Sequence, residues 1–249
     1  MSLTSSPSFD HLIHVVPDVP RAATAYDAAG FRTYTAEPAF GAQNGSWLDD
    51  LRYVELYTVL NREEWVSNMY APWSRQVVST VEDMMAAGGG AFAMGFEVPE
   101  IARATERMRS AGVAAEVIMI DLPRGDRKVS YPLAFPTEGP RWTPFLLTYP
   151  GEPEQRRALT RSLGRRPSGF GIDHLVVETA DPREGARWLA AILGLPDAIP
   201  VGADWRLAVP GADLVFTAGP AERVTTVGLT GPDVPDVTLF GLRYRSVRR

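Results

Sequence analysis

The chain has 249 residues, 45% of them apolar, an ordinary globular composition with length enough for sizeable cores. Acidic and basic residues are interspersed around a formal charge of −5 with no basic stripe, so nucleic acid is not an expected partner, and no apolar run approaches the ~20 residues of a membrane-crossing helix. The absence of cysteine excludes disulfides, thiolate metal ligands and a cysteine nucleophile.

The opening MSLTSSPS shows neither an apolar signal segment nor a periodic pattern; residues 1–8 are expected to be disordered and the chain cytoplasmic. FDHLIHVV then alternates over a strand length. It meets Pro17, which cannot continue a central strand, and Asp18, which can cap a helix running to Gly30. A second strand is expected at 31–36. PAFGAQNGSWL, with an Asn44-Gly45 turn signal, leads a third, and LRYVELYTVL at 51–60 puts Tyr53, Glu55 and Tyr57 on one face. These elements make a βαβββ unit over residues 9–60.

Residues 61–90 form a connector with room for one or two helices. A second unit over 91–150 has a strand at 92–98, a helix to Ser110, and strands near 115–120, 129–135 and 143–149, with a solvent-facing DLPRGDR loop. Residues 151–170 read as a polar linker. A third module fills 171–249: strand 172–179, helix 183–193, strands at 205–209 and 212–218, and a tail forming an incomplete fourth module. The strand-helix junctions at Asp18, Glu100 and Asp181 recur about every 82 residues, the mark of a repeat. The fold class is therefore α+β, with tandem βαβββ modules paired over 9–150 and a third module beside them or at a homodimer interface.

His11 and His174 hold the same place in the repeat, where the middle unit has Ala93. On a regular strand His11 faces the concave side and His14 the helix layer, as a structural histidine bonded locally. Glu55, from the closing strand of the same unit, faces His11. An imidazole beside a carboxylate suits a divalent metal, and it equally describes a core histidine beside a structural carboxylate. Glu97, on the face of Ala93, is a candidate general base, a compensating ligand, or the partner of a nearby arginine. Tyr53, Tyr57, Asn44 and Trp142 are candidates for contact with a small-molecule ligand, with Gln43, Trp47 and Trp73 as further lining. Arg124, Arg127 and Lys128 are candidate anion binders, whereas Arg165 and Arg166 read as linker solvation. No phosphate-binding glycine loop or nucleophile elbow is present.

The pattern D-H-L-x-H-x-V-P-D-V at 10–19, the Gly-Phe stop at 30–31, Y-V-E-L at 53–56, the run RKVSYPLAFPTEGPRWTPFLLTYP and the renewed D-H-L at 173–175 together resemble the glyoxalase-like domain proteins of the vicinal oxygen chelate superfamily. The resemblance covers roughly residues 9–220. It implies modules paired into a cupped, partly open barrel, with metal ligands on first and last strands. His11 and Glu55 match two such positions; the paired module offers Ala93 and Leu147, or Leu146, which cannot bind metal. His174 matches the first-strand position of the third module, with Leu214 where a glutamate would be expected. The implied function is a small-molecule lyase or isomerase acting on vicinal oxygens. Its divalent ion (Zn, Mn, Fe, Ni or Mg, not distinguished) would sit on His11 and Glu55 with His174 or water; without any cofactor, His11 and Glu55 would act directly as acid and base, with Glu97 as a third participant. The alternatives are a resistance-type protein that binds and sequesters a small molecule, and a degenerate structural module.

Overall fold

The computed structural model describes residues 6–124 and 127–247, without the side chains of 123, 124, 127 and 128. The expected disorder of residues 1–5 and anion binding by Arg124, Arg127 and Lys128 lie outside the described residues. The first unit runs β1 (Ser8–Val15), α1 (Val19–Ala28), β2 (Thr33–Thr35), β3 (Ala42–Asp49) and β4 (Arg52–Val59). Strand structure thus already begins at Ser8. The Asp18 carboxylate accepts from the Arg21 amide at 2.7 Å, capping α1 as its sequence suggests. Asn44 and Gly45, however, lie inside β3 and make no turn. A Cβ at Gly45 would meet the Tyr34 carbonyl oxygen at 2.9 Å and the Val19 side chain at 3.1 Å, so this glycine serves close packing of β2 and α1 on β3.

Two helices, α2 (Arg62–Trp65) and α3 (Ala71–Ala86), occupy the connector. The second unit follows as β5 (Gly90–Glu97), α4 (Ile101–Ser110), β6 (Ala115–Arg124), β7 (Arg127–Pro136) and β8 (Pro144–Leu147). Most of DLPRGDR belongs to the β6–β7 hairpin, because the ladder continues to the Arg124–Arg127 pair. The polar linker contains a helix, α5 (Pro153–Ser162), whose first turn is closed reciprocally by Glu152 and Gln155. The third unit comprises β9 (Gly171–Thr179), α6 (Pro182–Leu193), β10 (Ile199–Val201), β11 (Asp204–Leu207) and β12 (Asp213–Ala218). The tail supplies β13 (Arg223–Thr230), β14 (Val237–Leu239) and β15 (Leu242–Ser246), a unit with no helix.

β1 pairs antiparallel with β5, and β9 with β13, so the tail of the same chain supplies the third unit's counterpart. The strand order is β2-β3-β4-β1-β5-β8-β7-β6 in the first half and β10-β11-β12-β9-β13-β15-β14 in the second, joined where Val224 faces Ala91. Among the described residues β2 and β6 do not pair, so the fold is mixed α+β with an open cup in place of a closed barrel. No described helix is long and apolar enough to cross a membrane.

One core packs Leu12, Leu56, Met94 and Phe96 with side chains of α1, α4 and α6; burying each large apolar group contributes about 1.5–3 kcal/mol. A second core, built on Trp65, Trp73, Val77 and Val81 of α2 and α3 against Ile13, Phe92 and Phe145, fills one end of the first cup. His14 does face the helix layer, but its bonds are not local. Its Nε2 donates to the Phe240 carbonyl at 2.9 Å, which leaves Nδ1 to accept from the Tyr26 hydroxyl at 2.7 Å; Tyr26 bonds Tyr244 in turn at 2.8 Å. The first unit is thereby tied to the tail. Burial, helped by the charge of Arg223, holds the His14 imidazole down to about 4 against the pull of its carbonyl partner.

Candidate functional site

The site begins with a slip in a strand ladder. Phe9 faces Phe96 and His11 faces Gly95, so Asp10 is an extra residue in β1. The bulge keeps Asp10 on the concave side beside His11, where strict alternation would have turned it away. Asp10 accepts from His11 Nδ1 at 2.6 Å and from the Tyr149 hydroxyl at 3.1 Å. A carboxylate can only accept here, so the Nδ1 proton is held, and Nε2 becomes the ring atom that can gain or lose a proton. Nε2 lies 3.6 Å from Glu55 Oε2, while Glu55 Oε1 accepts from Asn44 Nδ2 at 2.8 Å.

The imidazole is fixed on its remaining sides by rings and backbone. Tyr53 stacks on it at 4.4 Å with an interplanar angle of 9°, and Phe145 meets it edge-on at 5.0 Å. A Cβ at position 95 would stand 2.8 Å from His11 Cε1 and Nδ1, so only glycine admits the ring there. Burial, then the charges of Asp10 and Glu55, push the Tyr53 phenol up, and burial followed by Asp10 does the same to Tyr149. Both hydroxyls therefore keep their protons and serve as hydrogen-bond donors.

These groups form part of the wall of a cavity of about 530 Å³ inside the first cup, a size suited to a small molecule. His11, Glu55, Asn44, Tyr53 and Tyr57 all reach it, as do Gln43 and Trp73. Trp142 does not: it is buried against Trp188 and Phe216 in the core between the halves. Trp47 likewise packs into the core, on Phe31 and Tyr244. Glu97 sits at the end of β5 and gives its carboxylate to Arg156 at 2.8 Å, away from His11. His174 belongs to the second half, bonded to Asp173 at 2.9 Å and lying over Gly228, and it is not among the residues lining the cavity of His11 and Glu55. Arg165, expected to be linker solvation, lines the first cup over the ring of Tyr34.

The ladder registers test the donor set for a metal. His11 faces Gly95 and Ile13 faces Ala93, which makes Ala93 the counterpart of His11. Glu55 lies beside Ile13 and Phe145 beside Gly95, so the counterpart of Glu55 is Phe145, not Leu147 or Leu146. In the second half the equivalent residue is Val215, opposite Val176, because Leu214 points into the core. Two of four positions are thus apolar, and Asp10 is engaged on the far side of the imidazole. Among the described residues no group of three His, Asp or Glu side chains could hold a metal ion. The residues present do not fit a resident four-ligand centre.

Paired βαβ-type units with an imidazole and a carboxylate on the first and last strands of one concave sheet define a cup for a small molecule. The Glyoxalase-like domain model matches residues 9–193, and the chain belongs to that family, within the vicinal oxygen chelate superfamily. Its fold is similar to that of a hypothetical protein from Staphylococcus aureus, with a TM-score of 0.78 and 15% identity over 97% of this chain and 99% of that one. A mutant 4-hydroxymandelate synthase from Streptomyces coelicolor gives 0.56 at 16% identity, covering 90% of this chain and 71% of the other. Homoprotocatechuate 2,3-dioxygenase from Arthrobacter globiformis gives 0.52 at 11% identity, over 92% and 65% respectively. At these identities the likeness concerns the fold alone. The comparison with curated proteins gives no match.

Asp10, Tyr149 and Phe145 are site residues that sequence reasoning missed. A signal existed for the first: the Asp-His dipeptide recurs at 10–11 and 173–174, and in both places the carboxylate bonds the adjacent imidazole.

Proposed function

We propose that the first cup is the site of a lyase or isomerase of the glyoxalase-like type, in which His11 moves a proton next to a carbonyl group of a small molecule. The observation that carries this reading is the Asp10–His11 pair, bonded at 2.6 Å, with Nε2 left 3.6 Å from Glu55 at the cavity wall. Asp10 orients the ring and stabilises the imidazolium that forms when Nε2 takes a proton, while the carbon's electron pair moves onto the carbonyl oxygen. Glu55, steadied by Asn44, exchanges a proton at the neighbouring atom, and return of a proton to a different position gives an isomer or expels a leaving group. Because Ala93 and Phe145 supply no ligand, no step is routed through a metal.

Proton NMR in heavy water on a panel of 2-hydroxy and 2-oxo carbonyl compounds tests this directly. Wild-type protein should wash out the proton beside the carbonyl or convert the compound, with a loss of about 10²-fold or more in His11→Ala. Equal rates in the variant would sink the assignment. Tight binding by wild type with neither exchange nor product would favour the sequestration reading of the same cavity.

A further inference from the structure

The charged groups along the first cup are matched, with one exception inside it. Asp10 serves His11 and Tyr149, Glu55 serves Asn44 beside His11, and Arg156 is committed to Glu97 at 2.8 Å. Glu37 is exposed to solvent at the rim. Arg165 differs. The chain leaves α5, anchors the Arg165 amide on the Thr160 carbonyl at 3.2 Å, and lays the guanidinium 4.2 Å from the centroid of the Tyr34 ring. Its Nε is buried without a hydrogen-bond partner, as is that of Arg156, but whereas Arg156 has Glu97, among the described residues no carboxylate pairs with Arg165.

A guanidinium held flat by an aromatic ring, partly out of water and with N–H groups unmatched, presents a planar fork that accepts a carboxylate through two parallel bonds. A phosphate, carrying more charge on a tetrahedral group, is usually met by several cations or backbone amides, and Arg165 offers one planar face. We propose that Arg165 is the anchor for a carboxylate on the small molecule that the first cup takes. The ligand's apolar body lies along the tyrosine-lined wall between Tyr34 and Tyr131, and its other end reaches His11. Only the role of that far end rests on the proton-transfer reading; the anion subsite stands on Arg165 itself.

The test is calorimetric or NMR titration with matched probes: 3-phenylpropionate, its amide and 2-phenylethylphosphonate, with hexanoate and hexanamide as an aliphatic pair. Wild-type protein should prefer the carboxylate over the amide by about tenfold or more in at least one pair. Arg165→Gln should erase that preference and Arg165→Lys retain part of it. His11→Ala should leave it intact, so that failure of the proton-transfer reading and failure of this one are read separately. The assignment is overturned if no carboxylate binds better than its amide, if the preference survives Arg165→Gln, or if the phosphonate binds more tightly than the carboxylate.

Discussion

Replacing Gly95 by Ala probes how tightly the imidazole is held. The added Cβ would stand 2.8 Å from His11 Cε1 and Nδ1 and 3.0 Å from Phe145 Cε2, inside ordinary contact distance. Gly95 is not in the left-handed region, so the cost is steric and not one of backbone strain. The ring has little room to retreat: Tyr53 stacks on it, and Asp10 holds its Nδ1 at 2.6 Å. Overpacking of this kind costs about 1–3 kcal/mol. At about 2–4 °C per kcal/mol for a chain of this size, Tm should fall by roughly 2–12 °C. The informative assay is a double-mutant cycle by urea denaturation. In a His11→Ala background the two contacts at 2.8 Å are gone and only the 3.0 Å contact with Phe145 stays, so most of the Gly95→Ala penalty should vanish, giving a coupling of about 1–3 kcal/mol. The same penalty in both backgrounds would refute the claim that Gly95 exists to admit the imidazole.

Stability should fall with acid through His14. Its folded value is about 4 against 6.5 unfolded, so between those pH values the unfolded chain binds the proton first, and about 3 kcal/mol present above pH 6.5 is lost as pH drops through 4. Urea titrations across this range should show a shallower decline in His14→Gln; parallel declines would count against the assignment. Tyr26→Phe strips His14 Nδ1 of its donor and should cost about 1–3 kcal/mol in the same assay, with a cost near zero contradicting the buried network. Chelator-treated protein should keep its Tm when Zn²⁺ is restored. A site filled at 100 times its Kd would instead add about 2.7 kcal/mol, and a rise in Tm abolished by His11→Ala would show that two ligands suffice.

Much of the site's frame was legible in the sequence because strand alternation is a local property. His11 and Glu55 fall on the concave face from spacing alone, and the Asp18 and Asp181 caps announce their helices. What alternation cannot supply is the register between distant strands. The bulge that brings in Asp10 exists only against β5, and Phe145 takes the place opposite Glu55 only through the β5–β8 pairing. Asn44-Gly45 resembled a turn because its sequence is identical to one; the close approach of β2 and α1 explains the glycine instead. Residue type offers Trp142 as lining, yet it fills the core between the halves, while Glu97, on the face of Ala93, takes the arginine partner that is one of its three readings. For Arg165 the error ran the other way, since a basic linker looks solvated until α5 folds back over the cup.

The assignment of Nε2 as the working atom of His11 is tested most directly by two-bond proton–nitrogen spectra of histidine-labelled protein, where three rings give three resolvable patterns. The expected result at a pH where the rings are neutral is a proton on Nδ1 of His11, held by Asp10, beside the opposite tautomer at His14, whose Nε2 donates to Phe240. Substitution Asp10→Ala should release the His11 preference and leave His14 unchanged. A wild-type His11 carrying its proton on Nε2 would contradict the proposed geometry and, with it, the proton-transfer role.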